Sequence, residues 1–177
     1  MAHPDKKLLL DGAYVQNFIR RALPRFAHSI YAGAQNWAGA APDFLGRYDP
    51  AAAPGAPGQD PRVTFVDGDL SVSGDLEGAG ILVVSGRVTL AGRFRFYGLV
   101  LIIGAGEVEI GGWSAVTGAV YVASLMESGG IPAWGGVKLN VKEHGRITLD
   151  TEAVRMALRL IPPYEVSFRE VTSIIDP

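Results

Sequence analysis

The stretch 68–123 reads GDLSVSGDLEGAGILVVSGRVTLAGRFRFYGLVLIIGAGEVEIGGWSAVTGAVYVA, and the positions of its glycines decide the fold. Gly68, Gly74, Gly80, Gly86, Gly92, Gly98 and Gly104 stand six residues apart; after a two-residue step, Gly106, Gly112 and Gly118 resume the spacing. Within nearly every hexad the second and fourth residues after the glycine are apolar, the two-residue period of a strand with one buried face. The glycines punctuate the strands, because a chain that turns every six residues needs positions where positive φ or a missing side chain costs little.

Three hexads make an 18-residue repeat. The spacing predicts an all-β solenoid, a single-stranded parallel β-helix of about 18 residues and three short strands per coil, right-handed. No helix is expected within the stretch. Residues 18 apart, or 20 across the two-residue step, should stack. The first column then buries Leu70 and Val72, Val88 and Leu90, Val108 and Ile110. In the second lie Leu76 and Gly78, Phe94 and Phe96, Ser114 and Val116, small against large. The third holds Leu82 and Val84, Val100 and Ile102, Val120 and Val122.

The outward positions separate the faces. Face one carries Asp69, Ser71, Arg87, Thr89, Glu107 and Glu109, a wet surface with opposite charges in neighbouring rungs. Face three carries Ile81, Val83, Leu99, Leu101, Ile103, Ala119 and Tyr121. Strands apolar on both sides are buried on both sides, so a helix of the same chain is expected to cover this face, in preference to another subunit.

Length and composition bound the rest. The 177 residues suit one domain with an irregular arm. A net charge of -2 gives no reason to expect nucleic acid or an anionic membrane as partner. With no cysteine, disulfides and thiolate metal sites are excluded. The opening MAHPDKKLLLDGAYVQ is too poor in apolar residues for a secretory core, and no run approaches the ~18 apolar residues that span a bilayer. Membrane insertion by the chain itself is not expected.

Taken in order, residues 1–62 read as an N-terminal helix and a Pro/Ala/Gly-rich arm, 63–150 as the solenoid, and 151–177 as a C-terminal helix and tail. Tyr14, Val15, Phe18, Ile19, Ala22 and Leu23 recur at helical spacing, with Arg20, Arg21 and Arg25 on the solvent side; the helix serves as lid for face three or as plug for the N-terminal end. The arm over 38–62 shows no periodicity and should be most flexible from Ala51 to Gln59. After Ala123 the pattern breaks: Leu125 to Gly136 reads as an extruded loop and Val137 to Val141 as a strand of undecided phase. GRITLD, from Gly145, repeats GRVTLA and should place Ile147 and Leu149 on Val108 and Ile110 as a fourth rung. Asp150 or Thr151 then caps a helix through Leu160, with Val154, Ala157, Leu158 and Ile161 as its apolar stripe and Pro162 and Pro163 as its stop. The tail from Glu165 to Val171 has strand character.

The run from Val63, with its VDGDL start, the GAGILVV, FxFxGLVL and GAVYVA strands, and the late GRITLDTEAVRMALRLIPPYEVSFRE, resembles the C-terminal domain of PilX-type proteins associated with type IV pilus assembly. The resemblance covers about Val63 to Glu170. It implies a β-solenoid carried beyond an N-terminal pilin-like hydrophobic helix in an envelope or surface appendage. That helix is not in this sequence, so the chain is expected to be a fragment, placed in the envelope or outside the cell, or a stand-alone form, placed in the cytoplasm. The segment from Leu125 to Gly136 also lacks the family's glycine and asparagine run. The chain is similar, more distantly, to bactofilins, which polymerise end to end; helices at both termini would block that stacking here. Hexapeptide acyltransferases fit less well, since Asp67, Ser73, Ala79, Ser85, Ala91 and Tyr97 occupy their aliphatic position.

Little in the sequence suggests chemistry. Asp67, Asp69 and Asp75 cluster, but Asp beside Gly is turn chemistry before it is a cation site. Glu107 and Glu109 share a face with Arg87, which favours a charge ladder over a glycosidase pair. His3, His28 and His144 are assigned no role. No catalytic residue, cofactor or metal is expected. Arg93, Arg95 and Trp113, with Leu99, Leu101 and Tyr121, form the candidate interaction surface. For the first three, Arg stems lying over Trp113 is preferred to glycan binding. The expected function is a non-catalytic module of a pilus-like or envelope assembly with protein partners. Self-polymerisation is the alternative, and a glycan-binding or glycan-active solenoid comes third.

Overall fold

The computed structural model describes residues 12–39, 45–52, 58–128 and 131–161, and within them the chain is mostly β. Strands β3 (Arg62–Asp67), β5 (Asp75–Val84), β7 (Arg93–Gly104) and β9 (Ala115–Ser128) run parallel, side by side, in a seven-stranded sheet. Between them the chain crosses to a second, five-stranded and wholly parallel sheet through β4 (Leu70–Val72), β6 (Val88–Leu90) and β8 (Glu107–Ile110). The predicted register is present. Leu82 pairs with Val100 and Val100 with Val120; Leu70 pairs with Val88 and Val88 with Val108.

Two strands per repeat replace the expected three, because the second and third hexads run on as one. At the junction stand Gly80, Gly98 and Gly118, paired with one another in register and each at positive φ (115°, 133° and 136°). A glycine in this conformation bends the backbone while the ladder of hydrogen bonds continues through it.

The enclosed side chains of both sheets form one core, including Leu70, Val72, Leu76, Leu82, Val100, Ile102 and the stacked pair Phe94 and Phe96, whose ring centroids lie 5.9 Å apart. Phe96 occupies the volume its neighbour Gly78 leaves empty, and Leu45 closes on Gly78 from the opposite side. Among the described residues no buried side-chain nitrogen or oxygen lacks a hydrogen-bond partner.

The outward apolar face of the larger sheet carries a second core. Val63, Ile81 and Val83 are fully buried there, each worth about 2 kcal/mol relative to solvent exposure. The chain itself supplies the cover, from both ends. Helix α1 (Gly12–Asn17) continues as a π-helical turn, Phe18–Ala22, and a 3-10 turn, Leu23–Phe26, and contributes Val15, Phe18 and Leu23. Helix α2 (Thr151–Leu158) crosses β5, β7 and β9. It sits on them through Ala153 and Ala157, small residues that permit close approach, while Leu158, expected in the stripe, faces solvent.

Several expectations are corrected. Residues 1–62 are more than a helix and an arm, since β1 (Ser29–Ala32) pairs with β3 and β2 (Gln35–Trp37) with β4, adding an earlier rung. Its offset of 35 residues, Ser29 to Thr64, hides it from an 18-residue search, because the segment pinched off at the Arg47–Asp60 bridge is inserted within that rung. The segment from Leu125 to Gly136 is no extruded loop: β10 (Ile131–Trp134) pairs antiparallel with the end of β9. The fourth rung of the first column is β11 (Lys138–Val141), which sets Leu139 on Val108 and Val141 on Ile110. GRITLD forms β12 (Arg146–Leu149) in the second column, with Ile147 on Val116. The physical reason is order of traversal: a chain returning from the hairpin meets the first column before the second. The expected side-chain positions of Tyr14, Ile19 and Arg20, part of the segment from Ala51 to Gln59, the stop at Pro162 and Pro163, and the strand from Glu165 to Val171 lie outside the described residues.

Candidate interaction surfaces

The two ends of the strand stack differ. At the N-terminal end Tyr31 and Trp37 close the core edge to face, with centroids 5.8 Å apart. The Gln35 amide there donates to the carbonyls of Ala32 and Gly33. At the opposite end the enclosed positions of β11 and β12 emerge into solvent. Leu139 is 50% exposed, Val141 45% and Leu149 77%. Strand β11 is the last of the five-stranded sheet, so its outer edge has no strand partner among the described residues. Both helical segments lie on the outward face of the larger sheet.

Side one, formed by the five-stranded sheet, is a ladder of alternating charge. Arg87 meets Glu107 at 2.6 Å, Lys138 approaches the other oxygen of Glu107 at 3.3 Å, and Lys142 reaches Glu109 at 3.0 Å. Hydrogen bonds from the Arg87 guanidinium and the Lys138 ammonium hold the Glu107 carboxyl below its ordinary pKa. Glu107 and Glu109 are thus each committed to cations rather than to one another. The three aspartates do not converge either. Asp67 accepts from the Ser85 hydroxyl at 2.8 Å, Asp69 from the Arg87 backbone N–H at 2.7 Å, and Asp75 faces Arg93. Among the described residues no group of three or more His, Asp or Glu is arranged to hold a metal ion.

Side two is the first half of the larger sheet. Arg93 lies 3.4 Å from Asp75 and Arg95 3.2 Å from Glu77, each pairing with the rung below. Trp113 stacks on His144 at 4.0 Å between centroids and 10° between planes. The six residues singled out in the sequence therefore separate. Arg93, Arg95 and Trp113 share side two, Leu99 and Leu101 pack with the second core, and Tyr121 stays exposed.

Sequence reasoning missed His144, which the turn between β11 and β12 carries to Trp113, and the end residues Leu139, Val141 and Leu149. Periodicity flags such residues as core; only the count of rungs reveals that no strand follows them among the described residues. A further cleft of about 310 Å³ lies between the arm and α2, lined by Tyr48, Gln59, Arg155, Met156, Arg159 and Leu160. No family model matches this chain, and neither a curated protein nor a solved structure matches it.

Proposed function

We propose that the chain is a right-handed parallel β-solenoid of about 18 residues per coil, working as a non-catalytic interaction module of a pilus-like or cell-envelope assembly, as the PilX-type resemblance implies. The open end of the strand stack carries this reading. Leu139, Val141 and Leu149 stand in solvent beside a strand edge that has no strand partner among the described residues. A strand edge with exposed apolar neighbours is a template for another chain, whereas the remaining apolar face is already covered by α1 and α2.

One observation favours a second reading, head-to-tail self-association. The five-stranded sheet is parallel throughout and ends in β2 at one edge and β11 at the other. A β2 from a second copy laid on β11 would extend the ladder in the same direction, and the described helical segments pack on the outward face of the other sheet.

A photoreactive residue at position 139, introduced in producing cells, should trap a partner, whereas one at Thr89 on the charged side should not. Equal trapping at both positions overturns the reading. Crosslinks to a second copy, together with salt-resistant filaments in electron micrographs that Val141→Glu abolishes, select self-association over a foreign partner.

A further inference from the structure

We propose that side two binds an acidic sugar, with its ring on Trp113 and its carboxylate on Arg93 and Arg95. One face of the indole is held by His144, which belongs to the next rung towards the open end. Trp113 nevertheless keeps 63% of its surface in solvent, so the opposite face is free. That face looks down the stack, onto the rung of Arg93 and Arg95.

Both arginines turn away from it. Each reaches one rung further down, Arg93 to Asp75 and Arg95 to Glu77. The rung of those carboxylates lies two strand spacings from the indole, about 10 Å. The same side of the sheet thus presents an exposed aromatic ring and two exposed guanidiniums. A pyranose can lay its C–H face on the indole, and a carboxylate on the ring can take paired N–H donors from an arginine. The present partners of both arginines are exposed and weakly held, so exchanging them for a ligand carboxylate costs little. A nucleic acid fits less well. Its closely spaced phosphates would run over Asp75 and Glu77, and the chain's net charge of -2 does not draw a polyanion. The stack of His144 on Trp113 fixes the indole before ligand arrives, which lowers the ordering cost of binding.

Calorimetric titration of the intact protein tests this, with galacturonate and sialyllactose as probes and the methyl ester of galacturonate and a single-stranded DNA oligomer as comparators. At least one acidic sugar should bind saturably, and added salt should weaken it. The ester should bind at least about tenfold more weakly, and Trp113→Ala and Arg95→Ala should each cost about tenfold with an unchanged melting temperature. Absence of binding by both acidic sugars overturns the proposal. So do equal binding by Trp113→Ala and DNA binding as tight as the sugar.

Discussion

Gly98 lies directly on Gly80 of the neighbouring strand, and a Cβ built on Gly98 would stand 2.1 Å from the Gly80 carbonyl oxygen. Gly118 repeats the relationship one strand further on, at 1.9 Å from the Gly98 carbonyl. Both obstructing atoms belong to backbone held in the ladder, so neither can rotate aside, and φ at Gly98 is +133°. Gly98→Ala should therefore destabilise by more than about 4 kcal/mol. Gly136→Ala, where a Cβ meets nothing within 4 Å, should be near neutral. Urea midpoints of the two variants check this, and a near-native midpoint for Gly98→Ala would refute it.

Phe96 fills the space under Gly78 and stacks on Phe94 within a fully enclosed core. Neither neighbour can expand into the gap, since Gly78 has no side chain and Leu45 already closes its other side. Phe96→Ala should cost about 3–5 kcal/mol, whereas Leu149→Ala at the open end should cost under about 1 kcal/mol. Chemical denaturation of both variants gives the comparison; similar losses would contradict the assigned register.

Asp150 accepts hydrogen bonds from the backbone N–H groups of Glu152 and Ala153 at 2.9 and 3.0 Å, capping α2. Asp150→Ala should cost about 1 kcal/mol, and Asp150→Asn or Asp150→Ser much less. Because α2 covers β5, β7 and β9, the loss should appear as faster amide exchange at Ile81 and Val83. Unchanged exchange at those residues would mean that the helix is not their cover.

Glu107 titrates below the ordinary glutamate range because Arg87 and Lys138 favour its charged form. A depressed folded-state pKa contributes stability that is present above the unfolded value and lost as pH falls through the folded one. The melting-temperature gap between the parent protein and Glu107→Gln should accordingly be widest near neutrality and close as pH drops below the ordinary glutamate range. High salt should shrink it too, since the pair is solvent-accessible. A gap constant down to strongly acid pH would exclude this ion cluster as its source.

The strand register was legible in the sequence at the level of single pairs. Leu82, Val100 and Val120 align because the glycine spacing sets a repeat length and the two-residue period sets a face. The apolar run Ile81, Val83, Leu99, Leu101 correctly announced a cover on the outer face. The early rung did not show, since Tyr31 and Trp37 lie outside the repeat spacing and precede an inserted segment. For the same reason Ile147 was assigned to the wrong column: identity with the GRVTLA pattern records a strand's shape, while its neighbour depends on how many turns of chain came before.

Glycine spacing and alternating polarity, both short-range, by themselves determined which residues between Gly68 and Ala123 form strands, which way their side chains point and that one sheet is apolar on both faces. Only the tertiary structure decided that helices from both termini share the cover, that His144 comes to rest on Trp113, and that Leu139, Val141 and Leu149 finish the stack uncovered. Those outcomes depend on contacts between distant segments, whose pairing is set by the space the strands leave once they are stacked.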